Sequence, residues 1–348
     1  MKKARELAAD NKAKVRNGID PKTERKQSEK MTVNDVAQEW LKERERNIEN
    51  PEIPARVYRR DIKSYIGELP VEQVTSRDIY DLVQRINDSG RPSVANDALD
   101  HCKHIFTQAI ILNAIENNPA SILKPKHAGG TEESRTRNLE FSEIEIALMV
   151  MRSNKDQFTR DNYIAVCLLL TLGVRKCELI AAKWSEFNLD EQIWMLPEAR
   201  TKKKSPGLAI GLPNKIIPFL NELKVRSCGS QYLFPARRAS KRREYISDDT
   251  INHALNTLFG IPSSAQKKKG IELPNLMQEA GLEEHFTVHD LRRTCRSRLS
   301  QLKVSSNVAE KCINHKIKGV EGVYDQWGYF DERKEAISKL ADKLDKLW

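Results

Sequence analysis

The sequence predicts a mainly α-helical protein with a small antiparallel β-sheet, arranged as a helical domain followed by an α+β domain. Three observations predict it. Apolar residues recur at helical spacing through residues 31–123. The stretch KPKHAGGTEESRTRN, at about 124–138, then carries no apolar periodicity and reads as a linker. Beyond it, the strand-like runs 193–197 and 208–213 flank a basic turn amid further helical segments. With 348 residues, 39% of them hydrophobic, the chain has room for two or three domains with real cores.

Residues 1–30 are highly charged, with a possible helix over 4–15 that Gly18 could end, and read as a linker or the remnant of a preceding domain. Thr32 with Asp35 marks a helix start, after which Val33, Val36, Ala37, Trp40 and Leu41 fall at helical spacing. A second helix fits 56–66. Thr75 with Asp78 opens a third, with Ile79, Leu82, Val83 and Ile86 on one face. A fourth covers about 93–113, until Asn117-Asn118-Pro119 stops it. The second domain, 139–348, has a helix start at Ser142 and Glu145 and an almost wholly apolar helix over 163–172, which must be buried on all sides. Residues 263–284 read as a surface excursion. A terminal helix over 331–347 sets Ile337, Leu340, Ala341 and Leu344 on one face, suited to packing at home or on a neighbour.

Lys+Arg exceed Asp+Glu by 59 to 49, a formal charge of +10. Solubility alone would explain that, but a polyanion partner would too. Cys102, Cys167, Cys177, Cys228, Cys295 and Cys312 form no C-x-x-C pair and suit reduced, mostly buried thiols. His101-Cys102-Lys103-His104 lies in a helical stretch without further ligands, so packing explains it better than a metal. No apolar run reaches membrane-spanning length, no signal peptide is visible, and Walker A, G-x-G-x-x-G and H-E-x-x-H patterns are missing.

Chemistry concentrates in 286–324, FTVHDLRRTCRSRLSQLKVSSNVAEKCINHKIKGVEGVY. A strand-like FTV precedes His289, and the run 291–302 continues as a helix. His289 and Arg292, three apart, can face one target. His315 follows, and Tyr324 nine positions later. Arginine grips phosphate oxygens in a fork, histidine moves protons, and tyrosine can be a covalent nucleophile. Upstream, Arg175 sits in the turn GVRKCEL beside the buried helix, where a charge needs a partner. Glu178 could be that partner, or a substrate phosphate. The basic turn RTKKKSPG, carrying Lys202, Lys203 and Lys204, is a good place for a proton donor.

In this order, Arg175, a hairpin lysine, His289-x-x-Arg292, His315 and Tyr324 resemble the tyrosine recombinase (phage integrase) family, in the subgroup carried by prophages and genomic islands. GVRKCEL resembles its first-arginine turn, HDLRRT its H-x-x-R box, and the NH with VYD its C-terminal pair. The hairpin departs from the family pattern, reading SPGLAIGLP; by alignment Lys202 fits best. The resemblance covers about 31–348 and implies a helical core-type DNA-binding domain at 31–123 and a catalytic domain after it. It also implies that 1–30 is what remains of an arm-binding domain. Arg175 and Arg292 would clamp the phosphate oxygens, Tyr324 would attack phosphorus to give a 3′-phosphotyrosine, and His289 would take the phenol proton. Lys202 would protonate the leaving 5′-oxygen, and His315 would hydrogen-bond a phosphate oxygen. No metal or other cofactor is implied. The expected partners are double-stranded DNA attachment sites, a homo-tetramer on DNA, and possible accessory proteins: a host DNA-bending protein and an excisionase. The expected place is the bacterial cytoplasm, at the nucleoid. Rival readings are type IB topoisomerase-like relaxation, a carboxylate transposase, and a non-catalytic DNA-binding regulator.

Overall fold

The computed structural model describes residues 31–133, 135–201, 207–238, 243–315 and 328–348. The chain divides into two compact units, Met1–Ser134 and Arg135–Trp348.

The first unit is helical. α1 (Val33–Asn47) starts at a capping box in which the Thr32 N–H donates to Asp35 Oδ2 at 2.9 Å and the Asp35 N–H donates back to Thr32 Oγ1 at 3.2 Å. α2 (Glu52–Val57) passes through a π-helical stretch, Tyr58–Ile62, into α3 (Lys63–Ile66). That stretch buries Tyr58 and Ile62, and the Tyr58 hydroxyl donates to Asn34 Oδ1 at 2.7 Å. α4 (Ser76–Asp88) repeats the capping box with Thr75 and Asp78 and buries the four residues its spacing predicts. α5 (Pro92–Ile111) begins on a proline, whose missing N–H costs nothing there. It is the central helix, packed on α1 and α4. Its small buried residues Ala95, Ala98 and Cys102 let the neighbours approach, while Leu99, Ile105 and Phe106 fill the core. Arg56, Arg60, Lys63 and Arg85 stay exposed.

Within the stretch expected to link the domains, Pro125–His127 forms a 3-10 turn. The Gly129 N–H donates to Asn96 Oδ1 at 2.9 Å, and Gln84 Nε2 donates to the His127 carbonyl at 3.1 Å. Arg137 instead belongs to the second unit, donating to Glu143 Oε1 at 2.7 Å. Thr131, Glu132, Glu133, Arg135 and Thr136 are all exposed.

The second unit begins with α6 (Phe141–Ser153), capped by Glu140 and Glu143, two residues earlier than Ser142 and Glu145 suggest. α7 (Arg160–Leu172) buries every residue from Asn162 to Leu172. Gly173 ends it in the left-handed region at φ +61. The short α8 (Lys176–Ile180) follows. β1 (Phe187–Asn188), β2 (Ile193–Leu196) and β3 (Leu208–Gly211) form an antiparallel sheet in that order, with Phe187 and Ile210 both paired to Trp194, and Leu196 to Leu208. Trp194 and Leu196 point inward and Met195 outward, the period of two a half-buried strand requires. β1 was not predicted, because two residues carry no alternation to read.

α9 (Ile217–Arg226) and α10 (Thr250–Leu258) complete one side. The expected surface excursion holds α11 (Ser264–Lys268) and α12 (Leu276–Glu279), and is pinned by buried Met277 and Leu282. α13 (Val288–Gln301) packs on α7. α14 (Ser306–Cys312) follows, and α15 (Phe330–Leu344) packs on α14, β3, α13 and α7 of its own chain. Trp348 lies 5.0 Å from the Phe219 ring, so the terminal helix packs at home. No helix among the described residues is long and apolar enough to cross a membrane.

The anchoring on either side of 131–136 makes a prediction. Limited trypsinolysis should cut first after Arg135, because Arg137 is tied to Glu143 while Arg135 and Thr136 are exposed. Mass spectrometry of the first fragments reads the site. First cuts within α7 or the β-sheet would contradict the division.

Candidate active site

α13 carries His289 and Arg292. The segment FTV before them is not a strand. Thr287 is the helix N-cap and Val288 the first helical residue. The Thr287 N–H donates to Asp290 Oδ2 at 2.8 Å, the same Thr-x-x-Asp box that opens α1 and α4. Asp290 is fully buried. Burial pushes its carboxyl up, but bonds from Thr287 and Arg293 more than offset this and hold it below the usual range. The box fixes where α13 starts and so which face shows His289 and Arg292. This positioning acid is missed by a reading that takes FTV as a strand, although its signal is present in the sequence.

Arg292 is only 5% exposed. Its Nη1 donates to the Gly173 carbonyl at 2.6 Å and its Nη2 to the Ile313 carbonyl. A guanidinium has five N–H donors, and among the described residues these two bonds use only part of that set. Burial and the Arg175 cation lower its pKa to about 10, which still leaves it charged at neutral pH. Gly173 lies two residues before Arg175, so one tight turn serves both arginines.

Arg175 is the N-cap of α8. Glu178, buried at 3% exposure, accepts from the Arg175 N–H at 2.8 Å and from Nη1 at 2.8 Å. The partner that a charge at this position requires is therefore Glu178, and the rest of the guanidinium stays partly exposed. Arg200, at the foot of the β2–β3 hairpin, donates Nη1 to the Glu178 carbonyl at 2.8 Å and also pairs with Glu186. The hairpin base is thus fastened to the turn that holds Arg175.

His289 is pushed below the ordinary imidazole pKa by burial and by the cations Arg293, Arg292 and Arg175, against the pull of Asp290. It is therefore mostly neutral near pH 7 and able to take a proton. His315 follows α14 through Asn314, which is left-handed at φ +51. Burial lowers its pKa too, partly countered by Glu310. Lys202 and Tyr324 lie outside the described residues. Arg292 thus holds the Gly173 and Ile313 carbonyls, each two residues before Arg175 and His315 respectively, and His289 lies one turn before it on α13. Among the described residues no group of His, Cys, Asp or Glu could hold a metal ion.

Paired arginines with two flanking histidines on a mainly helical scaffold are groups suited to gripping a phosphodiester by position and charge. The sequence matches the phage integrase central domain over residues 33–126 and the phage integrase family over residues 137–326. The chain belongs to the phage integrase family and is a site-specific recombinase of the kind mobile elements carry. Prophage integrase IntZ of Escherichia coli K12 is 23% identical, over 100% of this chain and 81% of its own. The integrase of Enterobacteria phage P4 is 27% identical, over 69% of this chain and 58% of its own. In fold, the chain is similar to a lambda integrase (residues 75–356) dimer bound to a COC′ core site, with TM-score 0.61, 19% identity, and 82% and 96% of the two chains covered. It is also similar to the Tn1549 transposon integrase in complex with circular intermediate DNA, with TM-score 0.60, 16% identity, and 88% and 98% covered.

The turn at Gly173 is open to test. An added Cβ would sit 2.8 Å from both Cys295 Sγ and Ile313 Cγ2, on a backbone at positive φ. Gly173→Ala should cost roughly 2–4 kcal/mol from strain plus crowding. Gly229→Ala, at φ +81 with open space around it, should cost only about 1–2 kcal/mol. Urea unfolding midpoints measure both, and equal costs would show that Gly173 is not crowded.

Proposed function

We propose that this chain cuts and rejoins DNA at attachment sites of a mobile element through a 3′-phosphotyrosine on Tyr324, using Arg175, Lys202, His289, Arg292 and His315. The observation that carries the reading is Arg292, a buried cation joined through the Gly173 carbonyl to the turn of Arg175. Two fixed cations beside one another suit a phosphodiester whose non-bridging oxygens gain charge in the transition state. Tyr324 attacks phosphorus, a P–O bond to Tyr324 forms, and the P–O5′ bond breaks. A phenol ordinarily titrates near 10, so a base is needed, and neutral His289 takes that proton. Lys202 gives a proton to the departing 5′-oxygen, and His315 contacts a phosphate oxygen. A 5′-hydroxyl of a second strand reverses the step, since the phosphotyrosine conserves the bond.

The domain at 31–123 would bind the DNA core site through its exposed basic residues, and 139–348 would do the chemistry. A lambda integrase tetramer bound to a Holliday junction, TM-score 0.62, supports a working assembly of four copies here. A host DNA-bending protein and an excisionase complete the proposed partners, with action at the bacterial nucleoid.

Incubation with attachment-site duplex in excess EDTA should still leave protein covalently joined to a 3′ end. Tyr324→Phe should abolish that adduct with DNA affinity nearly unchanged, because one hydroxyl adds little to many phosphate contacts. Loss of cleavage on chelation would overturn the mechanism.

The proton donor is tested by changing the leaving group. Lys202→Ala should slow cleavage of ordinary DNA by roughly 10²–10⁴-fold. It should cleave DNA with sulfur at the 5′-bridging position almost as fast as the unmutated enzyme, since a thiolate leaves without a proton. Arg175→Ala should show no such rescue. Rescue of Lys203→Ala or Lys204→Ala in place of Lys202→Ala would move the donor to that lysine.

A further inference from the structure

His315 is held by one residue at two places. Its backbone N–H donates to the Glu310 carbonyl at 3.0 Å, and its Nδ1 lies 2.8 Å from Glu310 Oε2. The first contact belongs to the helix end. With Asn314 left-handed and its N–H on the Lys311 carbonyl at 3.0 Å, the bond from His315 back to Glu310 closes the end of α14. The second belongs to the side chains. Glu310 is itself fixed, because Arg296 Nε donates to its other oxygen, Oε1, at 2.7 Å. Arg296 Nη2 also reaches Ser306 Oγ at 3.0 Å at the start of α14, and Nη1 reaches Ser300. Arg296 stands four residues beyond Arg292, on the same face of α13. A chain of contacts thus runs from α13 through Arg296 and Glu310 to the imidazole. Lying beside the Arg296 cation, Glu310 stays ionised and accepts hydrogen bonds only. It therefore favours the tautomer with hydrogen on Nδ1.

We propose that Glu310, clamped by Arg296, is a positioning residue that fixes the tautomer and orientation of His315 and leaves Nε2 as the atom presented to a phosphate. The inference rests on the reading of His315 as a phosphate ligand, and it adds what prepares that ligand. With Nδ1–H committed to Glu310, Nε2 gains a hydrogen only when the ring takes a second proton. Burial opposes that proton, as do the cations Arg292 and Arg175, while the carboxylate favours it. An arriving phosphodiester anion offsets those cations. The ring then becomes a charged donor where charge is being built.

The test uses the full chain labelled with ¹⁵N-histidine, with the His315 resonances assigned by comparison with His315→Gln. Free unmutated protein should show the Nδ1–H tautomer at high pH. Glu310→Gln keeps an acceptor but removes the charge, so the His315 titration midpoint should move to lower pH with the tautomer kept. Glu310→Ala should let the Nε2–H tautomer appear. Its adduct formation at saturating attachment-site DNA should fall by about 10–100-fold, as second-layer losses typically do, with DNA affinity little changed. Should Glu310→Ala disturb folding, the near-isosteric Glu310→Gln carries the test alone. An Nε2–H tautomer in the unmutated protein, or an unmoved midpoint in Glu310→Gln, would overturn the proposal. The tautomer and midpoint need no DNA. A shifted tautomer with unchanged adduct formation would therefore support the positioning role and overturn the phosphate-ligand reading of His315.

Discussion

A buried guanidinium has to be solvated by the protein, and the second unit is arranged around that requirement at Arg292. The carbonyls that meet it, those of Gly173 and Ile313, are the C-cap residues of α7 and α14. Carbonyls at helix C-termini lack partners inside their own helix and carry partial negative charge. Two helices thus end on one cation, and each contributes an acceptor that would otherwise go to water. The same meeting point fixes the site. Arg175 leaves the Gly173 turn, and His315 comes two residues after Ile313. His289 sits one turn before Arg292 on α13. Losing Arg292 would therefore cost more than one phosphate contact, since it would leave both helix ends unpaired in the interior.

Much of this was legible in the residues, and the reasons are physical. The cap boxes at Thr32–Asp35 and Thr75–Asp78, the apolar faces of α1, α4 and α15, and the almost wholly apolar run 163–172 of α7 follow local rules that tertiary packing left intact. The i, i+3 spacing of His289 and Arg292 survives because α13 begins at Val288, before both. The reading of FTV as strand failed because β-branched and aromatic residues also serve as cap and first-turn residues when Thr-x-x-Asp follows. Likewise Arg175 invited two partners in sequence, and the chain supplies Glu178.

What the sequence withheld depends on contacts across elements. Arg296 and Glu310 are fourteen residues apart and unremarkable as letters; only the packing of α13 against α14 brings them together at 2.7 Å. The anchoring of 125–130 on α4 and α5 rests on side chains of Gln84 and Asn96, far from the glycines that suggest a joint.

The contact of α15 with the sheet has a consequence for solubility. β3 is an edge strand, and an edge offers unpaired backbone groups to any strand that comes near. Here Arg333 Nη1 takes the Ala209 carbonyl at 3.0 Å, and the aliphatic stem of Lys334 lies over Gly211 so closely that a Cβ there would meet it at 2.6 Å. The opposite edge, β1, is only two residues long. Among the described residues one border is thus partly covered by α15 and the other is short, and both features discourage pairing with a β-strand of another copy.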